Sequence, residues 1–230
     1  MAWLRAEARQ GIVGQDRATI VASLGLLAVA IVARIPYDLL NHGPYVLDLN
    51  TPLDDLIPVV PPFVVPYVSL QPLIYASAVL FLLFRVRILQ STALAMTATF
   101  LVSYVFYALL QTYIDRPALT GTDPFTQQIL AVYASDNPFN DFPSLHVSLS
   151  TILAVHWWRV DWRVGLPIAI WVTLVVMSTV LVKQHHLLDI VGGLILAFAT
   201  SAISLRLLVD GPASPFGSAA GSGSARSRSG

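Results

Sequence analysis

The sequence predicts an all-α, polytopic membrane protein, with six transmembrane helices packed as a bundle. Three observations carry this. Hydrophobic residues make up 56% of the 230-residue chain and charged ones 11%, with a mean hydropathy of +0.70; a soluble domain carries about a quarter charged residues. The apolar residues fall into charge-free runs of about 17–25 residues, the length that spans a bilayer. The few charges sort by side, as loop charges do around a bundle of helices.

The elements follow in order. Residues 1–17 form a cytoplasmic N-terminus carrying Arg5, Arg9 and Arg17. The first span covers about 18–35. Ala28-Val29-Ala30 also fits a signal-peptide cleavage site, but the long apolar run behind a basic flank favours an uncleaved anchor. The second span, about 63–84, follows a proline-rich entry (Pro58, Pro61, Pro62 and Pro66). The third covers about 90–112, the fourth about 143–158, the fifth about 164–182 and the sixth about 186–207. The membrane domain is thus 18–207. Residues 208–230 form a Gly/Ser-rich tail, expected to be disordered and cytoplasmic.

Orientation comes from Lys and Arg. One set of alternating sides holds Arg5, Arg9, Arg17, Arg85, Arg87, Arg159, Arg163, Arg206, Arg226 and Arg228; the other holds Arg34, Arg116 and Lys183. Both termini are therefore expected in the cytoplasm of a cell-membrane protein. The outer connections carry most of the acids, among them Asp115, Asp136 and Asp141. Trp157 and Trp158 close span four at its inner end, as an interfacial belt would.

Composition also excludes. With 13 basic and 13 acidic residues the net charge is zero, so nucleic-acid binding has no electrostatic support. There is no cysteine, hence no disulfide, thiolate nucleophile or Cys-ligated metal.

Three polar groups interrupt the apolar pattern, all at the outer side: Asp115-Arg116-Pro117, Asp141-Phe142-Pro143-Ser144-Leu145-His146, and Lys183-Gln184-His185-His186-Leu187-Leu188-Asp189. Ionisable residues at membrane depth are costly and usually functional. His185 and Asp189 are four apart, one helix face, so the carboxylate can orient one ring nitrogen and leave the other to attack. Pro143 suits a first helical turn, behind which unpaired N–H groups meet an anion. Ser144 adds a hydroxyl, and His146 a general acid. Arg116 and Lys183 supply positive charge. Together these describe a phosphate pocket with a nucleophilic histidine and no cofactor. A metal site fits poorly, because His185 and His186 are neighbours and a helix turns them about 100° apart. His156 is expected at the inner interface, and Gly192-Gly193 at a close helix contact.

The three groups resemble the signature motifs of the type-2 phosphatidic acid phosphatase superfamily, a family of six-helix membrane enzymes. Its motifs are a Lys followed seven residues on by Arg-Pro, then Pro-Ser-Gly-His, then Ser-Arg-x5-His-x3-Asp. The chain has Arg116-Pro117, Pro143-Ser144-Leu145-His146, and Ser178-Thr179 followed by His185 and Asp189. The resemblance implies a phosphohistidine at His185, oriented by Asp189, with His146 protonating the leaving group. It also implies phosphate contacts from Arg116, Ser144 and Ser178. Leu109, Leu145 and Thr179 replace the family's Lys, Gly and Arg, and Lys183 is the candidate substitute for a lost cation. The Pro-Ser-Leu-His and Ser-Thr forms, Thr51-Pro52-Leu53-Asp54 and Tyr67 are similar to the inositol phosphorylceramide synthase-like branch.

The implied activity is dephosphorylation of a phospholipid or isoprenoid (di)phosphate on the extracytoplasmic face. The alternative is headgroup transfer to an alcohol acceptor. The expected partners are a lipid phosphate and membrane lipids, with oligomeric state left open. A transporter would place its ionisable groups near the midplane in two related halves, and no internal repeat is visible. Haloperoxidases, which hold vanadate in the same pocket, are usually soluble and keep more cations.

Overall fold

A computed structural model describes residues 10–211. The outermost part of the N-terminus, with Arg5 and Arg9, and the tail from residue 212, with Arg226 and Arg228, lie outside the described residues. So does the expectation of a disordered tail. Within them the chain is all-helical with no strands. Two isolated bridges, Leu47 with Thr112 and Tyr113 with Phe139, tie the long loops together.

Helix α1 spans Arg17–Val32 and is continued by the short α2, Pro36–Leu40. Asp16 caps α1 by accepting from Thr19 N at 2.7 Å. The proline-rich region folds as α3 (Pro52–Leu56), a 3-10 turn (Pro61–Phe63) and α4 (Val64–Val68), leading into α5 (Leu70–Phe84). Helix α6 is Val86–Leu109, four residues earlier at its start than the expected span and three shorter at its end. Helix α7, Pro124–Ser135, was not expected: it lies in the connection between the third and fourth expected spans. It forms because Asp123 caps it, accepting from Phe125 N and Thr126 N, and Pro124 opens its first turn. The last three helices are α8 (Leu145–Val160), α9 (Trp162–Leu181) and α10 (Leu187–Leu208).

Single residues, Arg85 and Asp161, join α5 to α6 and α8 to α9, so these pairs must turn back antiparallel. Helix α8 is the hub, packed by α9, α10, α6 and α5. At Gly193 of α10 a Cβ would stand 2.8 Å from the Ser144 carbonyl oxygen and 2.9 Å from Val147. The small-residue contact expected there is present, and it brings the N-terminal ends of α8 and α10 together.

The pattern of burial is compatible with an integral membrane protein. Val21, Val29 and Ile31 of α1, Val79 of α5 and Ile195, Phe198 and Ile203 of α10 are exposed. The polar pairs lie inside: Thr99 with Thr200 at 3.1 Å, Ser91 with Ser204 at 2.9 Å, and Ser148 donating to the Gly193 carbonyl at 3.0 Å. Such small polar residues hold helices together where lipid removes the hydrophobic incentive to associate. Five helical segments are long and apolar enough to cross a membrane: Arg17–Leu40, Pro61–Phe84, α6, α9 and α10. Helix α8 falls short. Its 16 residues reach about 24 Å against about 30 Å of hydrocarbon, and its Ser, Thr and His side chains lower its hydropathy.

The two ends of the bundle differ. One carries Arg85, Arg87, Arg163, Arg206 and the Arg159–Asp210 pair at 2.5 Å, with tight turns. The other carries the long loops and all three polar groups. Trp157 turns inward, donating to Ser77 Oγ at 2.9 Å and packing on Phe81, while Trp158 is exposed. His156 departs from expectation. It is fully buried between helices, with Nδ1 2.8 Å from the Ile152 carbonyl and Nε2 2.9 Å from Ser91 Oγ, because α6 and α10 pack over its face of α8.

Candidate active site

The site is built where α9 hands over to α10. After Leu181 the chain makes a tight turn. Lys183 takes a positive φ of 53°, and Gln184 N and His185 N both donate to the Thr179 carbonyl, at 2.9 and 3.1 Å. His186 is the N-cap, so His185 lies outside α10. The helix-face relation expected between His185 and Asp189 is therefore absent, yet the two meet: His185 Nδ1 is 3.5 Å from Asp189 Oδ2. His186 does not point away as a helix would require. Its Nδ1 lies 3.8 Å from the same oxygen, because both histidines precede the helix. Asp189 is fully buried. Its Oδ2 accepts from His186 N at 2.7 Å, and its Oδ1 has no hydrogen bond. The His186 amide and the N-terminal end of α10 face this carboxyl group.

His146 comes from α8. Pro143 stands before the cap rather than in the first turn, and its carbonyl accepts from the Tyr107 hydroxyl at 2.9 Å. Ser144 is the N-cap. Its Oγ accepts from Val147 N at 3.3 Å, and its own N–H donates to the Asp189 carbonyl at 3.3 Å, locking α8 onto α10. The following amides, of Leu145 and His146, have no intrahelical partner. The His146 ring stacks on Tyr67, with centroids 4.1 Å apart, and its centroid is 6.3 Å from that of His185.

The cations are less central. Arg116 donates to the carbonyls of Tyr133 (3.3 Å), Asp136 (2.6 Å) and Asn137 (3.3 Å), closing the C-terminal end of α7. It also reaches Gln184 Oε1 at 2.8 Å, beside His185, and only its Nε is left without a partner. Lys183 Nζ donates to the Asp54 carbonyl at 2.8 Å, while Asp54 Oδ1 accepts from Leu187 N at 2.8 Å. Ser178 is fully buried and bonds back to the Val175 carbonyl at 2.6 Å. So His185, Asp189 and His146 converge, while Lys183 borders the loop side of His185 and is held by the Asp54 carbonyl. Arg116 is one residue removed, Ser144 is taken up by its capping role, and Ser178 faces the interior of the bundle.

Two carboxyl groups escaped the reading of the sequence. Asp141 is buried, its Oδ2 has no partner, and it lines the same cavity as His146 and His185. Burial pushes its carboxyl up to about 7, and the nearby Asp189 charge adds to the shift. Asp136 holds Asn41 (2.6 Å) and the Tyr37 hydroxyl (3.2 Å), and burial raises it too. At His185 burial opposes the charged form, but the Asp189, Asp141 and Asp136 carboxylates outweigh it and hold the imidazole above its ordinary value. Asp141 was visible next to Pro143 but was counted as a topology charge. Asp136 meets partners nearly a hundred residues away, which no local pattern shows.

His185 stands between two cavities and is the residue common to both. The first, of about 570 Å³, is roofed by His146, Asp141, Asp136 and Gln184 and continues between α1 (Leu27, Ile31), α5 (Leu70, Ile74), α6 (Ala93, Met96) and α8 (Leu149, Leu153). From His146 to Leu153 it follows α8 for about 10 Å. Helix α1 packs on α6, and side chains of both α1 and α5 line the cavity. The second, of about 700 Å³, is polar and lies among the loops, with Tyr45, Asp48, Asp55, Tyr113, Asp115, Lys183 and His186 on its wall.

The model of the PAP2 superfamily matches residues 92–211, just over half of the chain and all three motifs. The chain belongs to the PAP2 superfamily, which generally comprises phosphatases. No curated protein and no solved structure matches it.

Proposed function

We propose that this PAP2-superfamily member is an integral membrane lipid-phosphate phosphatase or phosphotransferase working through a phosphohistidine. The observation that carries the reading is the place of His185: beside a buried carboxylate, facing a second histidine, at the polar head of a cavity lined mainly by apolar side chains of four helices. A polar head that forms or breaks bonds and an apolar slot for a chain describe a phosphorylated amphiphile.

In the first step His185 Nε2 attacks phosphorus while Nδ1–H is oriented by Asp189. The P–O bond to the lipid breaks, and His146 gives the departing oxygen its proton. In the second step an acceptor oxygen attacks phosphorus, His146 takes back the proton, and the P–N bond breaks. Water as acceptor yields phosphate; an alcohol yields a new phosphoester. Lys183, the Leu145 and His146 amides and, after release from its carbonyls, Arg116 stabilise the charge on the phosphoryl oxygens. We place α8 as a sixth membrane crossing, the arginine-rich end and both termini in the cytoplasm, and the site outside the plasma membrane, following the charge asymmetry.

The test is turnover of a labelled lipid-phosphate panel by purified protein, with product analysis and trapping of acid-labile label on the chain. The expected result is label that disappears in His185→Ala; label retained there overturns the phosphohistidine. Ala93→Phe, which fills the apolar cavity, is expected to lower kcat/KM for long-chain substrates about tenfold or more and to spare short soluble phosphoesters. Equal loss for both would remove the lipid from the reading. A cysteine at Thr122 should react with an impermeant reagent from outside; reaction only after lysis reverses the orientation.

A further inference from the structure

The His146 ring is anchored by a face and not by a hydrogen bond. It lies on the ring of Tyr67, with centroids 4.1 Å apart and planes 13° from parallel. Neither of its nitrogens makes a hydrogen bond among the described residues. A stacked contact fixes the plane of a ring and takes neither nitrogen. That suits a group which gives up a proton in one step and recovers it in the next.

Tyr67 is itself fixed. It is 4% exposed, on the short helix α4, in a cluster with Val64, Ile129 and Val182. The segment around it is tied to α9 at both ends. Val60 N donates to the Leu181 carbonyl at 2.9 Å, and Trp171 Nε1 donates to Ser69 Oγ at 2.9 Å. From α7, the Tyr133 hydroxyl donates to the Val182 carbonyl at 2.7 Å. Leu181 and Val182 lead into the turn that carries His185. The Tyr67 ring and the His185 turn are thus fastened to the same end of α9, while His146 comes from α8. Against the Tyr67 face, the His146 ring stands 6.3 Å from that of His185, with its plane turned by 52°.

We propose that Tyr67 is a positioning residue: its ring face holds the His146 imidazole in the plane from which it protonates the oxygen that leaves phosphorus as His185 attacks. This deepens the reading of His146 as the general acid and rests on it. As the P–N bond forms and the P–O bond breaks, the proton passes from His146 to the departing oxygen. The tyrosine hydroxyl takes no part. Phenylalanine can therefore replace the residue, whereas leucine or methionine, which have no ring face, cannot.

The test is the dependence on the leaving group. In this scheme kcat/KM covers the steps up to P–O cleavage. Full-length protein in detergent is assayed with dodecyl phosphate, whose alkoxide needs a proton to leave, and with para-nitrophenyl phosphate, whose phenolate does not. Tyr67→Leu is expected to lower kcat/KM for dodecyl phosphate about tenfold or more and to keep that for para-nitrophenyl phosphate within about twofold. Tyr67→Phe is expected to keep both, and Tyr67→Met to show the same split as leucine should the leucine variant not fold. Equal loss on both substrates in a variant that melts with the parent, or a phenylalanine variant as slow as the leucine one, overturns the proposal. In a His146→Ala background Tyr67→Leu is expected to cost nothing further on dodecyl phosphate, and a loss that adds to that of His146→Ala also overturns it. Release of phosphate from neither substrate by the parent instead overturns the enzymatic reading, and the role of Tyr67 with it.

Discussion

His156 and His185 are both buried histidines between helices, at opposite ends of the same bundle. At His156 both ring nitrogens are occupied, one by the Ile152 carbonyl and one by Ser91. At His185 Nδ1 has no hydrogen bond and lies 3.5 Å from an equally under-used carboxylate, and the ring borders two cavities. Burial is common to them; satisfaction is not. A satisfied ring reads as a structural part, and a ring held beside a carboxylate with an open face is the one proposed as the reagent. The same contrast separates Ser144 and Ser178, absorbed by backbone bonds, from Asp141, whose Oδ2 is free.

Exchange of roles is the sharpest test of this contrast. His185→Ala is expected to lower turnover by about a thousandfold or more while leaving the melting temperature nearly unchanged. Turnover within a few-fold of the parent would dissolve the distinction. Asp189→Asn is expected to cost about a hundredfold or more. It also removes the leading group that raises His185, so the acid limb of kcat/KM, expected above pH 6.5 in the parent, should move to lower pH. An unmoved limb would mean that Asp189 does not act on His185.

His156→Leu should show the opposite profile. It leaves Ser91 with one partner fewer and costs about 1–3 kcal/mol of stability, with activity per folded molecule retained; selective loss of activity would place His156 in the mechanism. Asp141 gives the smallest effect. Its carboxyl binds a proton more tightly folded than unfolded, so its contribution is complete below the unfolded value of 3.8 and is lost as pH rises through about 7. Thermal stability should therefore decline between pH 5 and pH 8 in the parent and less steeply in Asp141→Asn. Identical slopes would show that Asp141 is not held protonated.

Much of the fold was legible because lipid imposes simple rules. Five of the long apolar helices follow from apolar length, and the arginines gather at one end of the bundle as their spacing implies. Helix α8, proposed above as a sixth crossing, falls outside the rule: its polar side chains meet other helices of the bundle. Helix α7 shows the reverse, a helix in a polar region whose signal was its cap and opening proline.

By itself the sequence determined the helical class, the gathering of arginines at one end of the bundle and the candidacy of His146, His185 and Asp189, because these depend on composition and on short spacings. Only the tertiary structure decided which of the candidates face one another. It set Arg116 on the end of α7, turned Ser178 inward, drew His186 to the carboxylate already shared with His185, and brought Asp141 and Asp136 to the cavity that His146 and His185 line. The physical reason is that a hydrogen bond is consumed by whichever partner packing delivers. Whether a polar atom is left over for chemistry is therefore a property of the whole bundle and not of its local segment.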